Sequence, residues 1–413
     1  MRAMLHSVIA LLLSIALLLL ANGLFATLLS VRMAQEGFST GLAGLVGAAY
    51  FAGLVLGSVL AHRLVERVGH IRTFAALASL ISAFAIMHAI IVEPIFWAGL
   101  RFLAGMCMAG VFVVTESWLN GAATNQNRGQ VLSAYLITTY TALGLGQLLL
   151  NVYDPSSFVL FSLTSILFSI SLLPLVLDRN ANPVATPPTR FSFRALYRIS
   201  PFGMVGCFAS GILTGAFYGL GPIFGGGMGM SVAGISAFMS VTILGGLVLQ
   251  WPIGRLSDRY DRRSVMVGVL FATALASLGV VLVAESRWEI LLLVAAIQGG
   301  TSFVVYPLSV AHTNDHIDSA DLVQASAGLL IAYGVGAVVG PLWAAQVMEQ
   351  VGPAGLYYTS ALTALLVAGF GVYRMTRRQG PTAEEQGIFV PLTRMTAVAA
   401  ELDPRGEGGE ERT

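Results

Sequence analysis

Gly254-Arg255-Leu256-Ser257-Asp258-Arg259-Tyr260-Asp261-Arg262-Arg263 sets four arginines and two aspartates in ten residues. Apolar runs of 231–253 and 264–284 flank it. At 1.5 Å per residue each run spans about 30 Å of hydrocarbon. Two such runs joined by a short basic turn read as a membrane hairpin, with its loop on the side where arginine collects.

The same reading extends in both directions. Spans are expected at 7–30, 41–62, 73–92, 95–119, 130–152, 157–177, 201–225, 231–253, 264–284, 288–311, 322–348 and 354–375, twelve in all. The first outlasts a signal-peptide core and reads as a membrane helix. Pro94 suits the first turn of span four. No alternating strands suggest a β-barrel. Composition agrees: 56% of the 413 residues are hydrophobic and 10% charged, against about 25% charged in a soluble domain. That excludes a soluble enzyme, a DNA binder and a disordered scaffold. The net charge of +1 gives no field for nucleic acid.

All 22 basic residues are arginine. With an even number of spans both termini share one side. If that side is the cytoplasm, 19 of the 22 arginines fall there; Arg32 and Arg287 lie opposite and Arg101 lies within a span. The positive-inside rule therefore puts both termini in the cytoplasm. Residues 178–200 form a Pro- and Arg-rich cytoplasmic linker between an N-terminal half, 1–177, and a C-terminal half, 201–375. Its basic and aromatic residues suit the inner membrane surface. The Gly- and Glu-rich tail, 376–413, is expected to be disordered. Cys107 and Cys207 sit in apolar runs and read as small buried hydrophobes.

The halves match at an offset of 192–193 residues: Gly53 with Gly245, Glu66-Arg67 with Asp258-Arg259, Ser133-Ala134 with Ser326-Ala327, and Tyr140 with Tyr333. A six-plus-six duplication places a substrate site near the midplane, between the halves.

The loop at 254–263 resembles the G-x-L-[AS]-D-R-x-[GD]-R-[RK] signature of the major facilitator superfamily. A degenerate first-half copy runs Glu66-Arg67-Val68-Gly69-His70-Ile71-Arg72. An acid at a helix end can pair with loop arginines and so latch one face shut. Candidate gate residues are Glu66, Arg67, Gly69, Arg72, Arg128, Gly254, Asp258, Arg259, Arg262 and Arg263; topogenic charge alone is the plainer reading. Arg101-Phe102-Leu103-Ala104-Gly105 is similar to the superfamily's R-x-x-x-G motif. Glu116-Ser117-Trp118-Leu119-Asn120 and Tyr306-Pro307-Leu308-Ser309-Val310-Ala311-His312 resemble its YcaD-like branch. The resemblance covers residues 1 to about 375. It implies an all-α inner-membrane secondary transporter and names no substrate.

An intramembrane charge needs a reason. Arg101 and Glu116 share one face of span four, roughly 22 Å apart along the axis. Arg101 could bind an anionic substrate, displace a proton or cap carbonyls of span one. Glu116 could carry a proton, or pair with Arg67, Arg72 or Arg128. The resemblance implies a cavity walled by spans 1, 4, 7 and 10, with 2, 5, 8 and 11 beside them. That adds Asn22, Tyr50, Thr138, Tyr140, Thr214, Tyr218, Gln298, Tyr306 and Tyr333 as candidates for substrate contact or helix packing. His312, Asn314, Asp315, His316 and Asp318 lack a closing metal ligand and read as loop acids facing the 255–263 arginines. No cofactor is called for, no catalytic constellation is present, and no P-loop supports ATP-driven transport. The expected function is proton-coupled transport of a small organic solute by alternating access, by a monomer in membrane lipid. Efflux of amphipathic drugs or metabolites, traffic of a small organic anion, a lipid flippase and a non-transporting sensor remain as alternatives.

Overall fold

The computed structural model describes residues 2–124, 126–177, 193–284, 286–318, 321–377 and 385–403. Six helices build the first half: α1 (Arg2–Gln35), α2 (Thr40–Val68), α3 (His70–Ile90), α4 (Pro94–Ala122), α5 (Arg128–Leu148) and α6 (Val159–Ile170, resuming at Leu173–Leu177). Six build the second: α7 (Pro201–Gly227), α8 (Val232–Arg259), α9 (Arg262–Val283), α10 (Trp288–Asn314), α11 (Leu322–Val351) and α12 (Gly355–Arg377). Eleven of these spans are apolar enough over their length to cross a membrane. The twelfth, α5, has the length, 21 residues, but carries Thr138, Thr139, Tyr140 and Gln147. It packs against α1 and α8, so its polar groups face protein. Several helices outrun their apolar stretches. The charged ends of α2 and α8 stay helical to Val68 and Arg259. Of the linker, 178–192 lies outside the described residues, and Phe193–Ile199 is a short helix.

The duplication is built into the helix crossings. A Cβ on Gly53 would overlap the carbonyl oxygen of Phe102, and one on Gly105 that of Tyr50, so α2 and α4 touch backbone to backbone. In the second half Gly245 meets Ala296 and Gly299 meets Thr242 in the same way, joining α8 to α10. The α1–α5 crossing, Gly23 on Leu143 and Gly146 on Leu20, recurs between α7 and α11 as Gly215 on Ala337 and Gly340 on Ile212. Small residues permit this approach where no hydrophobic drive separates helix from lipid. Equivalent positions lie 192 residues apart on α1 and α2 but 194 apart on α4 and α5. The expected match of Tyr140 to Tyr333 is thus one residue out of register. The N-caps repeat too: Ser39 accepts from Leu42 N at 3.3 Å, and Ser231 from Gly234 N at 3.1 Å.

The halves meet through α2 against α11 and α5 against α8. At the arginine-poor end they close directly. Ser30 Oγ donates to the Gly219 carbonyl at 3.2 Å, and Gly41 N–H to Glu349 Oε1 at 2.8 Å. Asn151 Nδ2 reaches Ser236 Oγ at 2.8 Å.

At the arginine-rich end a segment of the tail lies between them. The expectation of disorder over 376–413 fails for residues 385–403. These pack on the bundle and end in a 3₁₀ turn, Ala397–Leu402, against α4, α5 and α11. Val390, Leu392 and Leu402 are buried there. Residues 378–384 and 404–413 lie outside the described residues.

Candidate functional site

A cavity of about 100 Å³ lies between the halves. α1 contributes Asn22, α2 Tyr50, α4 Arg101, α7 Thr214 and Tyr218, and α11 Tyr333. A smaller space of about 10 Å³ is lined by Tyr140 of α5, Phe303 and Tyr306 of α10, and Thr393 of the tail. Arg394 and Met395 line both. The tail therefore divides one interhelical space into two. Gln298 is buried but lines neither; its Oε1 has no hydrogen-bond partner among the described residues. Thr138 is absent from both walls, where its neighbour Thr139 faces the smaller space.

The two intramembrane charges have different surroundings. Arg101, 7% exposed, rests on aromatic faces. Its Cζ is 3.9 Å from the Tyr50 ring centroid and 5.6 Å from that of Phe25. Such contacts suit a desolvated guanidinium. Gly105, one turn on, lets α4 press close enough to α2 to bring Arg101 and Tyr50 together. Glu116 is fully buried, and hydroxyl groups surround it. Tyr135 donates to Oε1 at 3.1 Å and Thr393 at 2.8 Å, while Thr396 donates to Oε2. The pairing with Arg67, Arg72 or Arg128 that its position suggested does not form. A buried carboxyl must be hydrogen-bonded, and the tail supplies two of these donors.

The second-half loop forms a compact cluster. Arg262, 1% exposed, begins α9. It places NH1 at 2.6 Å from both Asp315 oxygens and NH2 at 3.4 Å from Asp258. The tail joins in: Arg262 NH2 donates to the Gly387 carbonyl at 2.6 Å, Gly387 N–H to Asp315 at 3.1 Å, and Phe389 N–H to Asp258 at 2.6 Å. Gly254 is bare of a side chain where the Phe389 ring sits; a Cβ there would overlap it. Asp261 caps α9 by accepting from Arg263 N at 2.9 Å. Burial works against its charge, but the hydrogen bonds and cation of Arg263 hold its carboxyl below the ordinary carboxylate range.

The first-half copy makes no such cluster. Glu66, Arg67 and Arg72 are exposed, and among the described residues none of them forms an ion pair. Gly69 stands where the second half has Asp261, and turns the chain with φ +87°. Arg128 is half-buried at the start of α5, and Arg259 is exposed. Among the described residues no group of His, Cys, Asp or Glu is arranged to hold a metal.

Phe303, Thr393, Arg394 and Thr396 escaped the sequence reading. Phe303 lay hidden in an apolar span. The tail residues lay in a segment read only by its polar composition, although Ile388-Phe389-Val390-Pro391-Leu392 is an apolar run within it.

The family model described as Major Facilitator Superfamily matches residues 11–251 and 228–400. An uncharacterized MFS-type transporter of Enterobacter sp. (strain 638) is 31% identical over 348 residues, covering 83% of this chain and 89% of its own. The uncharacterized MFS-type transporter YcaD of Escherichia coli O139:H28 is 31% identical over 345 residues, with the same coverage. Among solved structures, a mutant of the nucleoside transporter NupG superposes with a TM-score of 0.76 at 15% identity, over 89% of this chain and 99% of its own. A bacterial homolog of the human lysosomal transporter Spinster, inward-facing and unoccupied, gives 0.69 at 12% identity, over 98% of both chains.

Proposed function

The chain belongs to the major facilitator superfamily, a multi-pass inner-membrane transporter, and from that premise we propose proton-coupled alternating access for a small amphipathic organic solute. The observation that carries this reading is the cavity between the halves, sealed at the arginine-poor end and walled by Arg101 and aromatic rings. On this reading the arginine-rich face is cytoplasmic, with both termini there. The halves rock about the α2–α11 and α5–α8 contacts. Asp258, Arg262 and Asp315 form the cytoplasmic gate cluster, and Glu66, Arg67, Arg72 and Arg128 meet it when that face closes. Glu116 carries the coupling proton, because it is a fully buried carboxyl held by hydroxyls and a backbone amide, with no cation paired to it among the described residues. Aromatic walls that hold Arg101 by its faces favour an amphipathic solute over a small anion.

The test begins with a thermal-shift screen of organic cations, anions and neutral amphiphiles on purified protein, since binding raises native stability by mass action. Hits are then followed in proteoliposomes. Glu116→Gln should abolish flux driven by a pH gradient and leave solute exchange intact. Gradient-driven flux that survives in this variant at every pH removes Glu116 from the coupling role.

A further inference from the structure

The chain has placed one of its own guanidinium groups inside the cavity. Arg394 Cζ lies 4.5 Å from the Phe303 ring centroid and 5.9 Å from that of Tyr140. Its NH1 reaches Thr214 Oγ1 at 3.4 Å. Tyr218 stacks on Phe303 with centroids 6.0 Å apart and planes at 10°; its buried hydroxyl faces the guanidinium without a well-aligned hydrogen bond. Even half-buried, a cation is costly to hold away from water unless ring faces and dipoles replace that water. α5 and α10 supply those ring faces, and α7 the hydroxyls of Thr214 and Tyr218. Arg101 does not compete for them, because it rests on the separate rings of Tyr50 and Phe25.

The residues on either side of Arg394 are placed as specifically. Thr393 and Thr396 occupy Glu116, and Phe389 fills the gap left by Gly254. The backbone of Gly387 bonds both Arg262 and Asp315. A segment held at so many points, with its cation in the aromatic wall, stands where a substrate would stand.

Resting on the transport reading above, we propose that residues 385–403 are an internal surrogate ligand: Arg394 fills an aromatic cage that receives the cationic group of an amphipathic substrate. The tail must withdraw before that substrate enters. While seated, it covers both the cage and Glu116, so it also holds the transporter idle.

Three probes of one shape and different charge test this: benzamidinium, benzamide and benzoate. Their affinities are measured by calorimetry on the full-length chain in detergent, for the natural sequence and for Arg394→Ala. The expected result is a gain of about tenfold or more for benzamidinium in Arg394→Ala, and little change for benzamide and benzoate. Adding Phe303→Leu should reverse the gain, and Arg394→Lys should keep the cage filled and affinity low. Arg394→Gln repeats the measurement should the alanine variant not fold. No gain for benzamidinium, a larger gain for benzoate, or a gain indifferent to Phe303→Leu overturns the proposal. Binding is read here without flux, so failure of the cage leaves the transport reading standing. Conversely, benzamidinium that binds but never crosses proteoliposomes counts against transport and not against the cage.

Discussion

Gly53→Ala adds one methyl group at the closest point of the α2–α4 crossing. The new Cβ would overlap the Phe102 carbonyl oxygen, whereas a relaxed carbon–oxygen contact needs about 3.3 Å. Neither partner is a flexible side chain, so the helices must part, by on the order of 1 Å. A gap of that size loses a quarter to a half of each van der Waals contact along the seam. Overpacking of this kind costs about 1–3 kcal/mol. Gly99 is the control: it lies in the same helix as Phe102, and a Cβ there meets nothing within 4 Å. Gly99→Ala should gain up to about 1 kcal/mol from helix propensity. Gly53→Ala shares that gain, so the two variants should differ by the overpacking cost, about 1–3 kcal/mol. For a unit the size of one half, 1 kcal/mol shifts Tm by roughly 2–4 °C. Gly53→Ala should thus melt roughly 2–12 °C below Gly99→Ala, by tryptophan fluorescence in detergent. Gly245→Ala should behave like Gly53→Ala, because it occupies the equivalent place against the Ala296 carbonyl. If Gly53→Ala melts at or above Gly99→Ala, the backbone-to-backbone crossing is wrong.

Arg262→Ala leaves the buried Asp315 carboxylate without its cation and should destabilise the chain by about 3–5 kcal/mol, read as a lowered Tm; a change below 1 kcal/mol would show the pair to be solvated. Gly254→Leu should displace Phe389, and limited proteolysis should then cut within 385–403 faster than in the natural chain. Because the folded Asp261 carboxyl sits below its ordinary range, its stabilising share is full above about pH 4 and declines as pH falls further. Asp261→Asn should therefore lower Tm at pH 7 and narrow the gap to the natural chain towards pH 3. Cys107 and Cys207, both buried, should resist maleimide until the protein is unfolded.

The fold was legible because a bilayer constrains a chain so strongly. Scarce charge, apolar runs of fixed length and one-sided arginine leave few alternatives to twelve helices. The pairing of Gly53 with Gly245 pointed to the crossings, but a two-residue shift between α2 and α4 carried Tyr140 out of register with Tyr333. Arg101 reaches the cavity, since a charge within a span must face protein, and Tyr50 meets it there across the α2–α4 crossing. Gln298 does not, because a polar residue in a span can be buried against neighbouring helices as readily as against a cavity. The partners of Glu116 were not legible at all. One is Tyr135 of the neighbouring α5, and two come from residues 393 and 396, whose placement depends on tertiary docking that composition does not encode. The first-half loop shows the converse: Glu66 and Arg72 keep the charges of the signature, but Gly69 replaces the acid that caps and orients its counterpart.

The seal at the arginine-poor end is made of backbone and neutral side chains. Ser30 meets Gly219, Asn151 meets Ser236, and one carboxylate, that of Glu349, takes part. Parting it breaks ordinary hydrogen bonds of about 0.5–1.5 kcal/mol each and leaves no desolvated ion stranded. The opposite end is governed by Arg262 and two aspartates. Mobile ions leave neutral contacts alone and screen a buried pair such as Arg262–Asp315 far less than an exposed one, so of that cluster only the half-exposed Asp258 is open to them. Both ends are thus built to be indifferent to salt, one by being neutral and the other by keeping its ions out of water, and high ionic strength should leave Tm nearly unchanged.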